Sequence, residues 1–150
     1  MLYPFQQRII DETARLNRVA YFWDMGLGKT FIGAEKMKQL NSITNLVVCQ
    51  KSKINDWVKH FQEHYPGHVI HDLTKSLTMF MAYGFFSKHV PCFGIINYDL
   101  IFRRKELLKL ENFTLLLDES SLIQNTKAQR TKFILKMKPK NVILLSGTPT

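Results

Sequence analysis

Short, unbroken apolar runs alternate along this chain with longer stretches of mixed polarity. The runs cover residues 18–23, 45–49, 68–72, 92–97, 113–117 and 142–145. They are mostly apolar throughout rather than alternating, which is how strands covered on both faces read. Between them lie segments long enough for helices, at 29–40, 53–65, 76–89, 99–110 and 126–137. The last opens on Thr126 with Gln129 three residues on, a capping-box pattern. In that segment Phe133, Ile134 and Met137 share one face and Lys132 and Lys136 another. Strand and helix in steady alternation predict one α/β domain over residues 1–150, with a mainly parallel sheet and helices on both faces. In such sheets ligands bind beyond the carboxyl ends of the strands, so the residues that follow each strand carry the candidate chemistry.

Composition narrows the picture only a little. Apolar residues make up 45% of the 150 and charged residues 22%, an ordinary balance for one globular core. No apolar run approaches the roughly 18 residues of a membrane span, and no secretory leader is readable at the start. Cys49 and Cys92 lie in apolar runs and read as buried, reduced thiols, which fits an intracellular compartment. The net charge of +9 is compatible with a polyanionic partner. Its distribution says more: between Ser120 and Thr150 there are six basic residues and no acid.

The first strand runs into Asp24-Met25-Gly26-Leu27-Gly28-Lys29-Thr30, and an apolar helical pattern follows. A phosphate-binding loop needs a tight turn with inward-pointing backbone N–H groups, and glycine permits it. The helix N-terminus that follows adds partial positive charge. Lys29 is placed to reach the outer phosphates of a nucleotide, and the Thr30 hydroxyl to hold Mg²⁺. The usual first glycine of this pattern is replaced by Trp23. The fifth strand ends in Asp118-Glu119-Ser120-Ser121. Two carboxylates after a buried strand suit a Mg-nucleotide site, with Asp118 holding the metal and Glu119 polarising the attacking water as general base.

Together these residues resemble helicase superfamily two, and within it the Swi/Snf-like DNA translocases. Residues 24–30 look like motif I in its Swi/Snf form, and residues 118–121 like motif II. Ser146-Gly147-Thr148-Pro149 looks like motif III, which couples hydrolysis to motion. Weaker matches are Gln6, in the segment that reads adenine, Lys51 and Ser52 with Trp57 following, as in motif Ia, and Asn97-Tyr98 after the fourth strand. Gln50 replaces a usual proline, Ser120-Ser121 a common Ala-His, and Gln124 a frequent lysine. The resemblance implies a RecA-like lobe that binds ATP and Mg²⁺ through Gln6, Met25, Gly26, Leu27, Gly28, Lys29 and Thr30, with Lys29, Asp118 and Glu119 catalytic. It implies phosphate contacts from Lys51, Ser52, Asn97 and Tyr98 to DNA, expected to be double-stranded. It also implies a second lobe, absent from these 150 residues and supplied in cis or trans, that brings the arginines for the γ-phosphate.

Plainer readings stand beside these. Trp57 has the helical spacing of Ile54, Val58 and Phe61 and reads as core packing. Met79, Phe80, Tyr83 and Phe86 read as a packed helix, and His60, His64, His68 and His71 lack the carboxylate or cysteine that completes a metal site. The main competing function is a lone module that binds nucleotide, nucleic acid or a partner and does not cycle. An RNA helicase lobe is disfavoured by Ser-Gly-Thr-Pro and Asp-Glu-Ser-Ser, and a metabolic kinase by the lack of lid arginines.

Overall fold

The computed structural model describes residues 3–22, 26–78, 80–81 and 90–147, apart from the side chains of Gly26 and Leu27. Six strands form one sheet: β1 (Arg18–Phe22), β2 (Thr44–Cys49), β3 (Val69–Asp72), β4 (Cys92–Asn97), β5 (Thr114–Asp118) and β6 (Asn141–Ser146). All pairings are parallel and the order is β1-β6-β5-β2-β4-β3. The expected α/β class and RecA-like parallel sheet are therefore present.

Helices α1 (Pro4–Glu12), α2 (Gly26–Leu40) and α3 (Ile54–His64) share one core with one face of the sheet. The opposite face carries α4 (Tyr98–Ile101) and α5 (Gln129–Lys136). The central strands feed both cores. In β2, Val47 and Cys49 point into the first while Leu46 and Val48 point into the second. In β5, Leu116 faces the first and Leu115 and Leu117 the second. This two-sided burial is why those strands read as continuous apolar runs.

Some local expectations need correction. Strand β1 lies at the sheet edge, and only Val19 and Tyr21 are buried while Arg18, Ala20 and Phe22 are exposed. It is covered on one face, not two. The segment 99–110 is not one helix: α4 is a single turn and Lys105–Lys109 is a separate 3-10 turn. Helix α5 starts at Gln129 behind Ala128, without a side-chain cap, so the Thr126 capping box is not formed. Asn125 instead accepts the Lys127 N–H at 3.1 Å and makes the turn locally. Most of the helix expected at 76–89 lies outside the described residues.

Helix α1 was not expected from the pattern. Pro4 takes its first position, where a missing N–H costs nothing. Gln6 and Ile10, four apart, form its buried face. Lys36 of α2, fully buried, donates to the Thr13 carbonyl at 2.8 Å and to Gln39 Oε1 at 2.6 Å. The Thr13 and Tyr21 hydroxyls meet at 2.6 Å and tie the end of α1 to β1. Gly94 in β4 lets the chain close tightly, because a Cβ there would lie 2.6 Å from Phe80 Cε1 and 2.8 Å from Leu73 Cδ1.

Candidate nucleotide site

The strand order lines up the segments singled out in the sequence. Along the carboxyl edge of the sheet, Phe22 at the end of β1 is followed by Ser146-Gly147 at the end of β6, Asp118-Glu119 at the end of β5, the Lys51–Lys53 turn after β2, and Asn97-Tyr98 at the end of β4. Residues 125 positions apart at their extremes thus share one edge, because every crossover returns the chain in the same direction.

Lys29 lies in the first turn of α2 and is 8% exposed. Its Nζ lies 3.1 Å from Asp118 Oδ1 and in direct contact with Glu119 Oε1. Burial alone works against the ammonium, but the Glu119 hydrogen bond and the Asp118 charge outweigh it, so its pKa stands above the ordinary lysine value. Glu119 reaches this position through a left-handed backbone, φ 54° and ψ 60°. A non-glycine residue held there costs about 1–3 kcal/mol, a strain that concentrates at functional sites.

Asp118 is 4% exposed and its two oxygens have different surroundings. Oδ2 accepts the Trp57 Nε1–H bond at 2.9 Å. Oδ1 faces Lys29 but receives no well-directed hydrogen bond. The main-chain carbonyl of Asp118 accepts the Tyr98 hydroxyl at 2.6 Å. Burial, and then the Asp118 charge, push the Tyr98 pKa upward, so it stays a donor. A cavity of about 460 Å³ opens beside these groups, and its lining includes Lys29, Thr30, Asp118 and Glu119 together with Phe31, His60 and His64. A carboxylate oxygen without a hydrogen bond beside a threonine in the same cavity is a hard-oxygen donor set that suits Mg²⁺.

The remaining candidates are placed as follows. Gln6 is 2% exposed and accepts the Tyr3 N–H at 2.8 Å, so it is not on a solvated helix surface. Gly28 lies in the first turn of α2 with Gly26 and Leu27. Lys51 and Ser52 are exposed on the 3-10 turn after β2. Asn97 is 7% exposed and Tyr98 is 2% exposed and turned inward onto Asp118. Ser146 is buried at the end of β6, in register with Phe22 of β1, and Gly147 follows it. Met25 and Thr148 lie outside the described residues.

Trp57 packs in the core as expected, 1% exposed beside Phe61. Its contact with Asp118 was missed, as was that of Tyr98. The available signal was chemical: a buried indole N–H or phenol must find an acceptor.

The His60 and His64 rings lie 4.6 Å apart on α3, tilted by 40°, and Phe31 meets the His60 ring edge-on at 4.7 Å. Burial first, and His64 second, push the His60 pKa down to about 4. The sign follows from the depressed folded value. Stability is fully present above the unfolded value near 6.5 and is lost as pH falls towards 4. Urea unfolding at pH 7 and at pH 4.5 should show His60→Gln losing less stability on acidification than the wild type. The difference should be at most about 3 kcal/mol.

An all-parallel sheet with a phosphate-loop sequence entering its first long helix, and a paired acid meeting that loop's lysine, defines a RecA-like phosphate-loop lobe. The SNF2-related domain model matches residues 21–150, and the chain belongs to that family. It is the N-terminal lobe of a Swi/Snf-like superfamily-two protein.

Among curated relatives, it is 29% identical over 160 residues to a SWI/SNF-related matrix-associated actin-dependent regulator of chromatin subfamily A-like protein 1 homolog from Caenorhabditis elegans. The match covers 99% of this chain and 22% of that protein. Protein CHROMATIN REMODELING 5 of Arabidopsis thaliana is 27% identical over 141 residues, 84% of this chain and 8% of that protein. The chain thus spans under a quarter of the length of these relatives. Among solved structures, the Sulfolobus solfataricus SWI2/SNF2 ATPase core in complex with dsDNA superposes with a TM-score of 0.81 at 21% identity. That match covers 99% of this chain and 32% of the other, and it bears on the fold.

Proposed function

We propose that this lobe binds Mg-ATP at the carboxyl edge of its sheet and acts as the first lobe of a Swi/Snf-like DNA-dependent ATPase. Hydrolysis drives movement on DNA when a second lobe closes over the nucleotide. The observation that carries this reading is the meeting of Lys29, in the first turn of the helix that follows β1, with Asp118 and Glu119 at the end of β5. A lysine from a phosphate loop and two acids from a neighbouring strand end are the groups that phosphoryl transfer to water requires.

Lys29 transfers from the acids to the β- and γ-phosphates as nucleotide enters. The freed Glu119 then takes a proton from the attacking water. Thr30 and Asp118 would hold Mg²⁺, which when bound would supply positive charge to the phosphate oxygens. Gln6 stands as the adenine-side residue. Ser146, Gly147 and Thr148, which follow or end the strand between β1 and β5, carry the change to the rest of the motor.

Among the described residues no arginine lines the cavity. Arg130 pairs with Asp99 at 3.0 Å, and Arg104 donates to the Leu73 and Thr74 carbonyls. This supports supply of the γ-phosphate arginines by a second lobe. It equally favours the second reading, a lone module that binds nucleotide or nucleic acid without cycling.

The exposed Lys51 and Ser52 are the best-placed groups for a DNA phosphate. Such contacts position without reading sequence.

The test is Mg-ATP calorimetry with hydrolysis measured with and without double-stranded DNA across a salt series. Binding with little turnover by the lobe is expected, together with DNA affinity that falls steeply with salt. Absence of Mg-ATP binding would defeat the proposal. DNA-stimulated turnover by the lobe alone would remove the need for a second lobe.

A further inference from the structure

Resting on the Mg-ATP reading above, we infer that Trp57 is a positioning residue for the metal-binding carboxylate of Asp118. It fixes which of the two oxygens faces the cavity.

A carboxylate rotates easily about its last bond, because sp³–sp² torsions have broad wells. Asp118 is buried, so each oxygen needs a partner or a purpose. The Trp57 N–H saturates Oδ2 at 2.9 Å. Oδ1 is left towards Lys29 and the cavity with no directed hydrogen bond of its own. The indole is itself held in place. Phe61 lies 5.6 Å away ring to ring, and a Cβ on Gly33 would come within 3.4 Å of Trp57 Cη2. That Cβ would meet Leu145 Cδ1 at 2.8 Å and Leu116 Cδ1 at 2.9 Å first, so the bare glycine admits the two leucines, and Trp57 fills its slot beside them at ordinary contact distance. Removing the N–H leaves Oδ2 buried without a donor. The carboxylate is then free to turn both oxygens towards Lys29, which competes with a metal.

Partners of this kind, one step removed from a metal, typically alter its affinity by about 10–100-fold. Trp57→Phe keeps an aromatic ring in the slot and removes the donor. If Trp57→Phe folds poorly, 3-benzothienylalanine at position 57 replaces only the N–H by sulfur.

The measurement is the Mg²⁺ concentration for half-maximal ATP binding, titrated by calorimetry, alongside ATP binding in EDTA and the thermal midpoint. The expected result is a Mg²⁺ midpoint raised about 10–100-fold, with metal-free ATP binding at the wild-type level. A Mg²⁺ midpoint equal to wild type overturns the inference. So does an equal loss of ATP binding with and without metal, which is what a packing role alone produces. If the wild-type chain itself shows no Mg²⁺-dependent ATP binding, the underlying functional reading fails first, and the two failures are told apart by that control.

Discussion

Replacing Lys29 by alanine is expected to lower Mg-ATP affinity at least about 100-fold, measured by calorimetry at neutral pH. A hydrogen bond to a charged group contributes about 1.5–3 kcal/mol, and an ammonium that spans two phosphates makes more than one. Each 1.4 kcal/mol is about tenfold in affinity. The same substitution acts on the empty lobe. Asp118 and Glu119 lose their shared cation, and Asp118 is left buried with the Trp57 donor alone. Stability should therefore fall at neutral pH, and the pH dependence identifies the cause. The folded pKa of Lys29 is raised, so its contribution is complete below the unfolded value near 10.5. It fades as pH climbs through the higher folded value. The gap between wild type and Lys29→Ala should narrow at strongly alkaline pH. Unchanged Mg-ATP affinity would remove the phosphate-loop assignment altogether.

Glu119→Gln should separate binding from chemistry. The amide keeps the size of the side chain and loses the base. General-base catalysis contributes typically about 10²–10⁴-fold, and hydrolysis should drop by that order wherever the lobe is assembled to turn over. Mg-ATP binding should be kept or tightened. In the empty lobe Glu119 holds Lys29, and the neutral amide releases it more readily to the phosphates. Single-turnover hydrolysis and calorimetry on the same preparation check both halves. Equal hydrolysis rates in the two proteins would strip Glu119 of its role. Weaker binding would mean that the carboxylate orients the lysine for nucleotide rather than competing for it.

Much of this architecture was legible in the chain because burial on both faces leaves a strong mark. Leu46 to Cys49 and Leu115 to Leu117 have no solvent-facing positions, so their strands stand out as solid apolar blocks. The loop at Gly28-Lys29-Thr30 and the acids at Asp118-Glu119 were legible because each follows such a block. What escaped reading has a common physical origin. Helix α1 is short and mostly polar, and its place depends on bonds to Tyr21 on the next strand and to Lys36, 23 residues beyond Thr13. The segment 99–110 carries helical spacing, but Leu107 and Leu110 are drawn into the core and the helix gives way to a 3-10 turn. Strand β1 has the composition of an inner strand and lies at the edge, because sheet order is set by crossovers that local pattern does not encode. Trp57 and Tyr98 read as apolar bulk, and only the fold shows that their polar ends converge on one aspartate.

The buried Lys36 has a mechanical consequence. Its ammonium ties the last turn of α1 to the middle of α2, and Gln39 reinforces the joint by donating to the Ile10 carbonyl at 3.3 Å. The two helices cannot part at this joint without leaving a fully buried ammonium with Gln39 as its one side-chain partner. Stranding a buried charge in this way costs more than losing an ordinary hydrogen bond, so the joint resists peeling of α1 from α2.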